Sequence, residues 1–129
     1  MPTCAVQDHT KLQVWHRSRT LTVAVHEALR RGADRSVPGL RAQVIRATMS
    51  VGANIAEGAS RDTRADFARF VTIAIGSTSE VEHHLTVCSD LGILEGGVAE
   101  RLIGQATEIR RMLSGLRRAL VMRDHEAGR

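Results

Sequence analysis

With 129 residues, the chain is long enough for one compact domain that buries its core without disulfides or a metal. Its only aromatic residues are Trp15, Phe67 and Phe70, so an aromatic platform for unpaired bases has little to draw on, and nucleic-acid contact would rest on the cations, 18 lysines and arginines against 14 carboxylates. No apolar run approaches the roughly 18 to 20 residues of a membrane span, and the polar start lacks the layout of a secretion signal, so a cytoplasmic setting and no membrane partner are expected.

From about Lys11 to Arg31, Leu12, Trp15, Thr22, Val25 and Leu29 recur at helical spacing, widened by Val14, Leu21 and Ala28, and Gly32 follows as a stop. The breaker-rich stretch 32–39 reads as a loop, with Ser36 as N-cap of a second helix and Pro38 in its first turn, where a missing amide hydrogen costs nothing. That helix, 38–57, carries Leu40, Val44, Ala47 or Thr48, Val51 and Ile55. Gly52 marks a place where another backbone comes close, and Gly58 falls where a left-handed C-terminal cap would sit. A third helix, 63–91, opens on a capping box, Thr63-x-x-Asp66, and steps along Phe67, Phe70, Val71, Ala74, Thr78, Val81, Leu85, Cys88 and Leu91 to Gly92. Cys88, inside this apolar pattern, reads as a buried thiol rather than half of a bridge with Cys4.

Gly96-Gly97 reads as a turn, and a fourth helix, 97–122, carries Val98, Leu102, Ala106, Ile109, Leu113, Leu116 and Leu120 before a frayed C terminus. No strand alternation competes. Four long helices with short connections pack most simply as an antiparallel up-down-up-down four-helix bundle, an all-α fold in one domain over 1–129.

Constellations that could carry chemistry are few. Glu80-x-x-His83 has the spacing found in di-iron carboxylate centres, but a second such pair is missing, and the adjacent His83 and His84 point about 100° apart. No serine sits on a strained turn beside a His-Asp relay, and no glycine-rich loop follows a strand. Neither catalysis nor a bound cofactor or metal is expected.

Charge is the more informative property. Residues 11–46 carry eight cations against Glu27 and Asp34, 62–100 is acidic, and 101–123 holds six arginines against Glu108 alone. Arg110-Arg111 and Arg117-Arg118 lie seven apart and repeat on one side of the last helix, while Arg17 and Arg19 add a second set on the first. They read either as solvated surface or as a phosphate-facing track. Asn54 and Glu57 share a face near the end of the second helix, where the helix dipole disfavours an unpaired carboxylate. Arg69 or Arg46 is the expected partner of Glu57, with Asn54 capping backbone groups at the corner, so that Arg46, Asn54, Glu57 and Arg69 form a structural polar cluster or an interface.

The segments Leu12-x-Val14-Trp15, Gly39-Leu40-x-x-Gln43, Arg46-Ala47-x-x-Ser50, Asn54-Ile55-Ala56-Glu57-Gly58, Phe67-x-Arg69-Phe70, Ile73-Ala74-x-Gly76-Ser77, Glu80-x-Glu82 and Leu91-Gly92 follow one another in fixed order. Together, over about residues 11–121, they resemble the four-helix-bundle proteins named after 23S rRNA intervening sequences. The resemblance implies an antiparallel bundle that assembles as a ring-like homopentamer, with no established catalysis. It also implies kinship with accessory factors of diversity-generating retroelements, in which a basic pentamer engages nucleic acid and a reverse transcriptase. The chain departs from the usual pattern at Gly96-Gly97, where acidic residues commonly open the last helix.

The expected function is therefore that of a non-enzymatic homo-oligomer that binds RNA, DNA or a nucleoprotein partner such as a reverse transcriptase. Arg17, Arg19, Arg110, Arg111, Arg117 and Arg118 are the expected contacts. The alternative is an oligomeric scaffold for a protein partner, without nucleic-acid binding.

Overall fold

The computed structural model describes residues 6–30 and 32–127, with side chains as far as Met122, so Cys4, Arg31 and the side chain of Arg123 lie outside the described range. A 3-10 turn at His9–Lys11 precedes helix α1 (Gln13–Ala28), one turn of helix α2 (Ala33–Ser36), α3 (Leu40–Ala59), α4 (Arg64–Asp90) and α5 (Gly96–Ala127). No strand occurs among the described residues, and none of their helices is long and apolar enough to cross a membrane.

The helix ends explain where the pattern breaks. The expected loop at 32–39 contains α2, and Ser36 closes that turn instead of capping the next helix. Gly39, at φ 82°, occupies the N-cap of α3, with Pro38 before it rather than in the first turn. The capping oxygen comes from further back: Asp34 Oδ1 accepts from the Arg41 amide at 3.2 Å. Thr63 does cap α4, its hydroxyl oxygen accepting from the Asp66 amide at 3.1 Å. The Asp66 carboxylate turns to Arg69 and Arg61, so the reciprocal half of the capping box is not made.

At the far end of α4, Gly92 takes φ 73°, its amide donates to Ser89 at 3.0 Å and the Ile93 amide donates to Cys88 at 2.9 Å. That pair of bonds is a Schellman cap. Gly96 and Gly97 form the first residues of α5 instead of a separate turn.

Gly58 also departs from expectation. Positive φ among the described glycines is confined to Gly32, Gly39 and Gly92, so Gly58 is an ordinary helical residue near the end of α3. Its missing side chain admits α4: a Cβ there would stand 2.7 Å from Phe70 Cβ and 3.2 Å from the Phe67 carbonyl oxygen. Gly52 is closely packed too, but against a side chain and not a second backbone: Ser18 Oγ lies 2.9 Å from where its Cβ would be.

Paired contacts fix the helix directions. Ser18 lies against Gly52 and His26 against Arg41, so α3 runs opposite to α1. Phe67 meets Gly58 and Ser77 meets Ser50, so α4 reverses again. Glu82 bonds Thr107 and Arg110, whereas Thr72 bonds Arg117, which makes α5 antiparallel to α4. Among the described residues α1 packs on α3 and α5, α4 packs on the same two, and the backbones of neither diagonal pair come close. The result is the expected up-down-up-down bundle.

The core contains Leu40, Val44, Ala47, Val51 and Ile55 of α3 and Leu102, Ala106, Ile109, Leu113 and Leu120 of α5, as their spacing requires. On α1 the buried face is Val14, Ser18, Leu21 and Val25, so the expected stripe is rotated: Leu12, Trp15 and Thr22 are only half-buried. Ser18 is tolerated inside because its hydroxyl donates to the Trp15 carbonyl at 2.7 Å. Leu116 and Phe70 are half-buried rather than core, and Leu91 is 53% exposed beyond the end of α4.

Candidate nucleic-acid interface

Neighbouring arginines on α5 have different surroundings, because consecutive helical residues point about 100° apart. Arg110 faces α4, where its Nε donates to Glu82 Oε1 at 2.7 Å while Thr107 donates to Glu82 Oε2 at 3.0 Å. The hydrogen bond from Arg110, reinforced by the carboxylate's charge, pushes the guanidinium pKa up. One turn pair later, Arg117 is half-buried on the same side and its Nη1 reaches Thr72 Oγ1 at 3.5 Å. Arg111 and Arg118 are exposed and have no ion-pair partner among the described residues. On α1, Arg17 pairs with Glu108 of α5 at 2.8 Å, whereas Arg19 is exposed with its guanidinium 5.6 Å from the Trp15 ring. The six arginines therefore do not form one continuous track: Arg17, Arg110 and Arg117 link helices, and Arg19, Arg111 and Arg118 face solvent.

The expected polar cluster divides in a similar way. Glu57 pairs with Arg61, one turn away across the α3 end, and not with Arg69 or Arg46. Arg69 pairs with Asp66 at 3.0 Å. The guanidinium carbons of Arg61 and Arg69 lie 4.7 and 4.5 Å from the Phe70 ring, so this half-buried aromatic carries two cations. Asn54 does not cap the corner; its Nδ2 donates back to the Ser50 carbonyl at 2.8 Å and to Ser50 Oγ at 3.1 Å. Ser50 Oγ in turn meets Ser77 Oγ of α4 at 3.0 Å. Arg46 pairs with neither Glu57 nor Asn54 and lines a shallow hollow with Gln43, Ser50 and Glu80.

Glu80 Oε2 lies 3.3 Å from His84 Nε2, and His83 is exposed, so the Glu80-x-x-His83 spacing is not the one the helix uses. Cys88 is a free, fully buried thiol whose pKa is pushed up by burial.

Sequence reasoning missed a groove between α1 and α5. Gln13, His16, Arg17, Thr20, Gln105 and Ile109 line a hollow of about 470 Å³. The sequence signal was present in the polar row Gln13, Arg17, Thr20 at helical spacing, but only the structure sets it opposite Gln105. The His16 ring stands edge-on to Trp15 at 5.0 Å, and His9 does the same from the other side of the sequence at 4.7 Å.

Among solved structures, the chain is similar to a protein of unknown function from the S23 ribosomal protein family of Bacteroides thetaiotaomicron VPI-5482. The TM-score is 0.72 at 25% identity, covering 80% of this chain and 96% of that one. No curated protein sequence matches the chain. The family model described as 23S rRNA-intervening sequence protein matches residues 10–115, which cover α1, α3 and α4 and reach into α5. The chain thus belongs to the 23S rRNA-intervening sequence protein family.

Proposed function

We propose that this chain is a non-enzymatic homo-oligomer, pentameric as its family resemblance implies, that works in the cytoplasm and binds RNA or DNA, alone or with a protein partner such as a reverse transcriptase. The observation that carries this reading is the set of solvent-facing guanidinium groups, Arg19, Arg111 and Arg118, which have no carboxylate partner among the described residues. Arg111 and Arg118 are seven residues apart on one helix face and so stand about 10.5 Å apart along its axis. Assembly of several copies would multiply such pairs, and each arginine that meets a phosphate releases a bound counterion. The names of the matched family and of the ribosomal-protein-family neighbour support an RNA setting.

Salt dependence tests the reading. Each phosphate contact contributes roughly 0.7 to 0.9 to the slope of log affinity against log salt, so Arg111→Ala with Arg118→Ala should flatten it by about 1.4 to 1.8 per subunit engaged. Arg110→Ala should leave the slope unchanged, since that cation is already held by Glu82. An unaltered slope in the Arg111/Arg118 variant removes those residues from the interface.

A second reading, an oligomeric scaffold for a protein partner, is favoured by exposed apolar side chains on three helices, Val23, Met49, Val121 and Met122. It requires salt-sensitive self-assembly with no uptake of nucleic acid at any ionic strength.

A further inference from the structure

We propose that the groove between α1 and α5 seats a base of an unpaired nucleic-acid strand, with the adjoining phosphate on the Arg19 side. The inference rests on the nucleic-acid reading above and adds a base-contacting site to it. The hollow, about 470 Å³, lies within the roughly 300–1,000 Å³ range of small-ligand sites. It shares His16 and Thr20 with a second hollow of about 510 Å³ that continues over α1 to Arg19 and Val23. Neither lining contains an aspartate or glutamate, and Glu108 nearby is neutralised by Arg17.

The polar groups facing the groove suit a base. The side-chain amides of Gln13 and Gln105 have no hydrogen-bond partner among the described residues, and they belong to the two opposite walls. An amide both donates and accepts, which is what the edge of an unpaired base requires. His16 Nε2 donates to the Thr10 carbonyl at 2.6 Å, which fixes the ring beside the groove. The Thr20 hydroxyl donates to the His16 carbonyl at 3.0 Å and keeps its lone pairs. Ile109 supplies an apolar floor. Arg17 is held by Glu108, so the adjoining phosphate falls to Arg19, which lines the neighbouring hollow and has no ion-pair partner among the described residues. A duplex has its base edges already paired, so only an unpaired strand can offer a base to the two amides.

Because His16 touches Trp15 and Arg19 overlies it, the single tryptophan reports on occupancy of the groove. The experiment uses the full chain and three labelled probes of one length: a mixed-sequence single strand, the same strand with abasic sites, and its duplex. Anisotropy gives affinity across a salt series, and Trp15 emission is read in parallel.

The wild type should bind the intact strand about tenfold more tightly than the abasic strand or the duplex, the discrimination that one bidentate amide–base contact supplies. The intact strand should shift the Trp15 emission more than the abasic strand or the duplex, which reach Trp15 only through Arg19. Gln13→Ala with Gln105→Ala should abolish the preference while leaving the salt slope unchanged. Thr20→Phe, which fills the groove from its exposed edge, should abolish it as well, so the result does not depend on one variant. Equal binding of the three probes, or a preference that survives both variants, overturns the groove while the arginine reading stands. Absence of binding to every probe at every salt overturns both.

Discussion

Substituting alanine for glycine at four helical positions should give effects of different sign, and the close approach of α3 and α4 determines which. At Gly104 and Gly76 nothing lies within 4 Å of the new Cβ, so alanine should stabilise by the helix-propensity difference alone, about 0.5 to 1 kcal/mol. At Gly58 the new carbon would meet Phe70 Cβ at 2.7 Å, Phe67 Cδ1 at 2.9 Å and the Phe67 carbonyl oxygen at 3.2 Å. Two of these atoms are tied to the α4 backbone, so relief requires the helices to separate, an overpacking cost of about 1 to 3 kcal/mol. The propensity gain is smaller there because Gly58 is one residue from the end of α3. Gly58→Ala should therefore lose about 1 to 2 kcal/mol net, or several degrees in Tm. Gly52→Ala should be close to neutral: the obstructing Ser18 Oγ can rotate, but doing so breaks its 2.7 Å bond to Trp15. Urea unfolding followed by circular dichroism, at one protein concentration because assembly shifts apparent stability, measures all four. A Gly58→Ala protein as stable as Gly104→Ala would refute the packing argument.

Truncating Leu102, Ile109 or Leu113 to alanine should cost about 2 to 5 kcal/mol each, while Leu91→Ala should cost under about 0.5 kcal/mol, both read from the same unfolding curves. Glu82→Ala removes two bonds between α4 and α5 and should destabilise by about 1 to 2 kcal/mol, whereas Glu95→Ala, on an exposed residue without an ion pair among the described residues, should have little effect. Asp8 is held below its ordinary pKa of 3.8 chiefly by the Thr10 hydroxyl and amide, so its contribution is present above that value and is lost as pH falls through the folded one. Asp8→Ala should accordingly destabilise at neutral pH and match the wild type in strong acid, as paired melts would show. In a Cys4→Ser background Cys88 should react with a thiol reagent only as fast as the bundle opens, because the thiol is buried and its pKa raised.

The fold was legible wherever burial alone decided a position. On α3 and α5 the apolar residues recur at three and four without interruption, and the buried residues there are largely those the spacing marks. On α1 the pattern misled, because Trp15 is large enough to lie half-out while Ser18, which satisfies its hydroxyl on its own helix, takes the place facing Gly52. Gly58 looked like a cap from its position after Glu57, yet its φ is helical and its purpose is the passage of Phe70, a fact about a second helix that local reasoning lacks.

The site was less legible for the same reason. That Arg110 and Arg111 point apart follows from helix geometry, but which of them meets Glu82 depends on the rotation and height of α5 against α4. Glu57 found Arg61 because the short turn after α3 brings it within one helical turn, closer than the arginines of the next helix. The Gln13–Gln105 groove needs two helices distant in sequence and so leaves only a weak trace in either.

Light scattering of the native protein, with and without a short RNA or DNA across a salt series, shows whether the assembly takes up nucleic acid through its arginines. An oligomer that gains nucleic-acid mass at low salt and sheds it at high salt is the predicted result. An oligomer, or a monomer, that takes up no nucleic acid at any ionic strength would contradict the account and leave the scaffold reading in its place.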